Sequence, residues 1–132
     1  MFEQELFNYI QSNFSVQGFN IGFGFGEVAE NINAPYIAMF PLNNDGTKQV
    51  LCNDNNYTDG QTSIQFSVYA KSYKNACYIG RMLDIFLAEL RYLTNYKIVL
   101  NNTEVIRGFD NINTGLSLET VTRLFTYTKK EN

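Results

Sequence analysis

The sequence predicts an α+β fold, an antiparallel sheet with two helices packed on one of its faces. Residues 1–15 and 76–92 carry apolar side chains at helical spacing. Residues 19–29, 63–70 and 116–128 instead alternate two kinds of side chain with the period of two that a strand requires. Helices and strands in this succession are typical of an antiparallel sheet that carries its helices on one face. We therefore expect the element order α-β-β-loop-β-α-β-β-β.

The first element is predicted to be an amphipathic helix over residues 1–15. Glu3 and Glu5 fall in its first turn, where acids suit the positive end of the helix dipole. Gly18 lies shortly beyond its last apolar residue and is the expected stop. The apolar side consists of Phe2, Leu6, Tyr9, Ile10 and Phe14.

Two strands are predicted next, joined as a β-hairpin. Residues 19–29 alternate aromatic and aliphatic residues with glycines, so the glycines share one face of the strand. Residues 31–35 contain Asn and Pro and should turn the chain. Residues 36–40 then form the second strand, which Pro41 closes because proline has no N–H to donate.

Residues 43–62 are predicted to be a long polar loop. Asn, Asp, Gly and Thr dominate the segment, and Val50, Leu51 and Cys52 interrupt it. Loops of this length in a compact domain are usually functional or disordered. We expect it to be mobile in an isolated subunit and ordered in an assembly, because it offers few apolar anchors.

A strand over residues 63–70 and the strongest helix follow. Apolar residues from Ile64 to Ala70 point to one side of the strand. Ser72 or Asn75 can cap the helix, which should run to about Tyr92. Its buried stripe is predicted to pack on the strand and consists of Ala76, Ile79, Leu83, Phe86, Leu87 and Leu90.

The chain should end in a hairpin and a last strand. Residues 96–100 and 104–108 flank Asn101 and Asn102, residues that suit a tight turn. Residues 116–128 form the last strand, and the final four residues of the chain should fray. With 132 residues, eleven Phe, nine Tyr and no dividing linker, the chain has enough apolar material for one core and forms a single domain.

Composition disfavours several classes of function. The net charge is −3, and the ten Lys and Arg residues are scattered along the sequence, so nucleic-acid binding is not the expected main activity. Cys52 and Cys77 are distant and form no CxxC pair, which fits reduced thiols inside a cell. An acidic N-terminus argues against a signal peptide, and no segment has the run of roughly 18 apolar residues that a membrane span needs.

No catalytic or cofactor site is expected. The chain has no histidine, which removes Ser-His-Asp triads and His-containing zinc sites. The glycines of residues 18–26 alternate with aromatic residues inside a strand, so a phosphate-binding loop is disfavoured. Residues 54–60 are similar to a calcium loop, but Gln65 stands where a bidentate Glu is needed. Neither Asp84 with Glu89 nor Glu27 with Glu30 lies in an apolar stretch that favours acid–base work.

The order of the elements and the sequence character of three of them carry a family resemblance. The N-terminal helix, the passage Ile64–Gly80 from strand to helix and the closing strand Gly115–Tyr127 resemble those of the small tail-terminator or tail-completion proteins of long-tailed bacteriophages, a family that includes minor capsid and neck proteins. The resemblance extends over nearly the whole chain.

The resemblance implies a structural virion protein without catalysis or cofactor. It implies a homo-oligomeric ring, usually a hexamer, that sits at the head–tail junction, terminates the tail tube and joins it to the head-completion or connector protein. Such a ring is assembled in the host cytoplasm and does not bind a membrane. Double-stranded DNA passes through it without specific binding, which suits an acidic subunit.

Candidate interface residues lie in the polar loop and on the next strand and helix. Exposed polar and tyrosine side chains are typical of protein interfaces. They are Asn43, Asp45, Lys48, Tyr57, Asp59, Gln65, Tyr69 and Tyr73. The alternative interpretation is a small ligand- or peptide-binding module that uses the glycine-rich strand face and nearby tyrosines, and an enzyme is a third.

Overall fold

The computed structural model describes residues 2–26, 35–42, 50–51, 58–107 and 116–130. Within these residues the chain forms two helices and a six-stranded mixed, curled sheet, so the α+β class is confirmed. The elements are α1 (Phe2–Asn13), β1 (Gly22–Phe25), β2 (Tyr36–Leu42), β3 (Val50–Leu51), β4 (Thr58–Ala70), α2 (Tyr73–Ala88), β5 (Tyr96–Arg107) and β6 (Ser117–Lys129).

Two long antiparallel strands form the centre of the sheet. β4 pairs with β6 from Asp59 opposite Thr128 to Ala70 opposite Ser117. The strand order is β1-β2-β4-β6-β5, and the short β3 also pairs with β4. Since β6 occupies one side of β4 along this whole length, β2 and β3 share its other side.

The predicted hairpin between the first two strands is wrong, because β1 and β2 are parallel. Gly22 pairs with Tyr36 and Phe25 with Met39. The period-two pattern shows which side chains share a face and contains no information on strand direction. The connecting residues 26–35 are close to the length of about a dozen residues that a crossover between parallel strands needs.

Pro41 does not end β2, which continues to Leu42. The Gly26 N–H donates to the Met39 carbonyl over 2.8 Å, so the backbone groups of Met39 point toward β1. Backbone direction alternates along a strand, so position 41 also points to that side, beyond the end of β1. Proline is tolerated there because no ladder hydrogen bond needs its missing N–H.

The predicted hairpin around Asn101 and Asn102 is also wrong, since both lie inside the continuous strand β5. They pair with Phe125 and Leu124 of β6. The long partner strand supplies ladder hydrogen bonds on both sides of the two asparagines, and this tertiary pairing overrides their local preference for a turn. The irregularity appears instead as a register shift between Ile98 and Leu100.

Part of the predicted polar loop belongs to the sheet. β4 begins at Thr58 rather than Ser63, and Val50 and Leu51 pair with Asp59 and Thr58. Thr62 is buried, and the small Gly60 makes room for the Tyr127 ring, because a Cβ on Gly60 would lie 2.6 Å from Tyr127 Cζ. The remaining loop residues, 43–49 and 52–57, lie outside the described residues, so the prediction of mobility there is not tested.

The structure differs slightly from the prediction at the end of α2 and at the C-terminus. Ser72 caps α2, since its Oγ accepts from the Asn75 N–H at 3.1 Å, but α2 ends at Ala88 rather than near Tyr92. The chain then folds back and Tyr92 forms a bridge with Lys97. The C-terminus does not fray at residues 129 and 130, because Lys129 belongs to β6 and the Lys130 N–H donates to the Asn95 carbonyl at 2.9 Å.

One hydrophobic core joins α1, α2 and the sheet. The predicted α2 stripe is confirmed, with Ile79, Leu83 and Leu87 fully buried and in one cluster with Ile64, Phe66 and Val68 of β4. Phe2 of α1 stacks on Tyr127, with ring centroids 4.1 Å apart. Phe7 of α1 contacts Phe25 of β1, and Phe14 contacts Phe86 of α2.

Candidate interaction surface

The sheet has one face that no described helix contacts, which we call the open face. Side chains alternate between the two faces along each strand. Phe66 of β4 lies in the core, so the odd-numbered residues of β4 point the other way. Phe125 of β6 also lies in the core, so the even-numbered residues of β6 point the other way. The registers place the matching residues of β2 and β5 beside them. The main members of the open face are Tyr36, Phe40, Ser63, Gln65, Tyr69, Leu118, Thr120, Thr122, Leu124 and Thr126.

Two small residues at the centre of the open face are buried. Ala38 and Ser67, which pair across β2 and β4, are 0% and 3% exposed although no described helix covers them. The flanking residues Tyr36, Phe40 and Tyr69 are half-buried. A solvated face of an antiparallel sheet usually carries polar side chains. Here small buried residues lie beside half-buried aromatic residues.

Two local contacts fix side chains on this face. Gln65 Nε2 donates to Ser67 Oγ at 3.2 Å, which holds the Gln65 amide along its own strand. The Tyr36 ring lies over Gly22, because a Cβ on Gly22 would come within 2.9 Å of Tyr36 Cδ1. The glycine-rich strand predicted from the sequence therefore serves the close approach of an aromatic ring from the same subunit.

The centre of the open face carries little charge. Tyr36, Tyr69 and Leu118 follow one another across three strands, and Phe40, Gln65 and Thr122 form a second row. Beyond the second row, Glu104 of β5 is an exposed carboxylate. Aromatic and hydroxyl side chains with few charges are the composition that protein interfaces favour at their centres.

A cluster of four cations lies at one corner of the sheet. We call it the basic corner: Arg91, Tyr92, Lys97, Lys129 and Lys130. All five side chains are exposed. Strand pairing joins Tyr92 to Lys97 and Tyr96 to Lys129, and the Lys130 Nζ lies 5.2 Å from the centroid of the Tyr92 ring. Folding thus gathers four of the ten basic residues, which are scattered in the sequence, at one corner of the sheet.

Charged residues are also buried on the opposite face, between α2 and β6. Arg123 and Glu119 are each 3% exposed, and Arg123 Nη2 donates to the Asp84 carboxylate. The Thr103 hydroxyl donates to the same carboxylate at 2.9 Å, and Glu119 lies against Gly80 of α2. Asp84 is thus held by a cation and a hydroxyl, which makes it an anchor between α2 and the sheet rather than a base aimed at a cleft.

Two half-buried tyrosines, Tyr96 and Tyr127, have raised pKa values. Burial raises the pKa of Tyr127 to about 12, with smaller contributions from Glu3 and from Tyr96. Burial, followed by the negative charges of Glu5 and Glu3, also raises the pKa of Tyr96. Both phenols therefore keep their protons at neutral pH and contribute ring contacts, with centroids 5.4 Å apart.

The predicted interface residues separate into three groups. Asn43, Asp45, Lys48 and Tyr57 lie outside the described residues, and Asp59 is described only through its strand pairing. Gln65 and Tyr69 lie together on the open face. Tyr73 begins α2, is 40% exposed and does not belong to that face.

Two other exposed apolar residues lie away from the open face. Tyr78 and Ile85, each 49% exposed, are on the outer side of α2. Cys77 is half-buried on the same helix, and Cys52 and the pair Glu27 and Glu30 lie outside the described residues.

The described parts of the chain contain no group of three or more Cys, Asp or Glu side chains placed to hold a metal ion. Within the same parts, neither helix is long and apolar enough to cross a membrane.

Comparison of the sequence with protein-family models gives no match, and comparison with curated proteins gives none either.

Proposed function

We propose that this chain is a structural virion protein of a long-tailed bacteriophage. About six copies form a ring at the head–tail junction, where the ring terminates the tail tube and joins it to the connector. The observation that carries the proposal is the open face, an aromatic and hydroxyl-rich surface with little charge at its centre, opposite the face that holds the core. The order of elements that resembles the tail-terminator family gives the proposal its specific form.

The proposed architecture keeps both helices on one face of the sheet. Phe2 of α1 contacts Phe125 and Tyr127, and Asp84 of α2 contacts Arg123. The three β6 residues have odd numbers and therefore share a face. With the helices on that side, the other face remains available for a neighbouring subunit.

The charge distribution supports docking at an end of the ring rather than a grip on DNA. The chain is acidic overall, while the basic corner gathers four cations at one edge of the sheet. Phosphate binding by a channel wall would retard DNA, because each Lys or Arg that contacts a phosphate adds salt-dependent affinity. We assign the basic corner to an acidic surface of the tail tube or connector and expect the channel wall to be neutral or acidic.

The alternative, a ligand- or peptide-binding module, finds less support. Its simplest site was the glycine face of β1, but the Tyr36 ring fills the space above Gly22. A peptide or small ligand would first have to displace that ring. Assembly of subunits into a ring does not require the Tyr36 side chain to move.

A pair of lysine variants tests the role of the open face. Thr122→Lys places a cation between Gln65 and Glu104, where the cross-strand carboxylate favours folding. Ile85→Lys adds the same charge at an exposed position of α2. Native mass spectrometry, alone or with purified tail tubes, should show that the first variant loses the ring and that the second keeps it. Equal assembly by both variants contradicts the assignment of the open face.

Phage particles give the second test. Disruption of the gene should produce overlong or unjoined tails, and the protein should be found at the head–tail junction of intact particles by cryo-electron microscopy. Normal tails in the disrupted strain, or a channel wall lined with Lys and Arg, would contradict the proposed function.

A further inference from the structure

β5 is an edge strand, and the first part of its outer edge is already covered. The Ile98 N–H donates to the Arg91 carbonyl at 2.9 Å, and the Tyr96 carbonyl accepts from the Leu93 N–H at 2.8 Å. The backbone groups of residues 96 and 98 therefore point away from β6, toward the segment 91–93. This segment and the register shift after Ile98 protect the beginning of the strand from other chains.

The rest of the outer edge has no strand partner among the described residues. The shift between Ile98 and Leu100 reverses the alternation, so that residues 100, 102, 104 and 106 direct their backbone groups to β6. The groups directed outward then belong to Asn101, Thr103, Val105 and Arg107. Residues 100–107 contain neither Pro nor Lys, the residues that commonly blunt an open edge.

At the opposite end of the sheet, the outer edge of β1 also has no strand partner within residues 2–26, 35–42, 50–51, 58–107 and 116–130. The N–H groups of Gly22 and Gly26 donate to the carbonyls of Pro35 and Met39. Phe23 and Phe25, which alternate with them, therefore direct their backbone groups away from β2. Gly22 and Gly24 have no side chains to obstruct a neighbouring strand, a feature of sites where another backbone approaches closely.

We propose that the outer edge of β5 pairs with the outer edge of β1 of a second copy, which continues the sheet from subunit to subunit. The two edges differ, so each contact leaves one edge of each kind for the next copy, and repetition gives a closed ring where the rotation between neighbours closes on itself. Pairing of β5 with itself would give a two-fold dimer and end the assembly. The inference rests on the proposed ring and adds a backbone contact between neighbouring subunits to their contact through the open face.

Two substitutions of one residue isolate the backbone hydrogen bond. Thr103→Ala removes the hydroxyl bond to Asp84 but keeps the outward N–H. Thr103→Pro removes both, and an edge position whose N–H points outward accepts proline. We expect Thr103→Ala to assemble as the wild type does, and Thr103→Pro to weaken subunit association about tenfold or more, because a partner carbonyl loses its donor.

Circular dichroism and thermal unfolding of the two variants show whether proline leaves the fold intact. If it does not, hydrogen exchange of the wild type decides, with the outward amides of residues 101, 103, 105 and 107 slowed in the ring relative to the monomer. Equal assembly by both folded variants, or equal exchange in ring and monomer, overturns the inference while leaving the ring itself standing. Absence of any ring from wild-type protein, with or without tail tubes, overturns the proposed function instead.

Discussion

The two faces of the sheet are made by the same strands and differ in what covers them. On the covered face, Phe66, Val121 and Phe125 are at most 1% exposed beneath the helices, and the charged Arg123 is bound to Asp84. On the open face, Tyr69 and Leu118 remain half-buried and Ser67 is hidden between its neighbours. The covered face thus holds the fold together, whereas the open face carries apolar side chains that no described helix covers.

The largest predicted effect comes from comparing a leucine in the core with a leucine on the open face. Leu83 on α2 is fully buried, so Leu83→Ala should lower the free energy of unfolding by roughly 2–5 kcal/mol. Leu118→Ala on the open face should cost about 1 kcal/mol, because that side chain is only half removed from water in the free subunit. Urea unfolding of both variants measures the difference. Equal losses would show that the open face is already covered within one subunit.

The buried ion pair gives the second prediction. Asp84→Ala leaves the Arg123 cation buried with one anionic partner fewer, which should cost about 3 kcal/mol. Glu104→Ala removes an exposed carboxylate from the open face and should change stability by about 0.5 kcal/mol or less. Thermal unfolding at low and high salt separates the two. A loss below about 1 kcal/mol for Asp84→Ala would mean that the pair is not needed to hold α2 on the sheet.

The smallest effect is a pH dependence on the covered face. Tyr127 has a pKa of about 12 in the folded chain and an ordinary value of 10.0 when unfolded. Its contribution to stability is fully present below pH 10 and is lost as the pH rises toward 12, because only the unfolded chain releases the proton. Tyr127→Phe should therefore flatten the decline in stability between pH 10 and 12. Parallel declines in both proteins would assign the alkaline effect to other groups.

The sequence was sufficient where one strong local pattern determined the structure. The stripe containing Ile79, Leu83 and Leu87 predicted a buried helix. Ser72, one of the two caps predicted for that helix, is the residue that caps it. The alternation from Ile64 to Ala70 correctly placed the core face of β4. For the candidate surface, Gln65 and Tyr69 were placed together on the side opposite the core, and the described structure keeps them there.

The sequence was not sufficient where distant residues determine the outcome. Asn101 and Asn102 favour a turn locally, yet the partner β6 holds them in a strand. The alternation along β6 did not show which of its two faces is buried, nor that Arg123 would meet Asp84 of α2. Tyr92 and Lys130 are far apart in sequence and meet only because the chain folds back after α2.

The sequence by itself determined the class of fold, the two helices and the side of β4 that is buried. These follow from the spacing of apolar side chains, which acts over one or two helical turns or a few strand residues. The tertiary structure alone decided the direction of β1, the continuity of β5 and the gathering of the cations into the basic corner. Strand pairing joins backbone groups that every residue possesses, so side-chain periodicity cannot specify which strands become neighbours or in which direction they run.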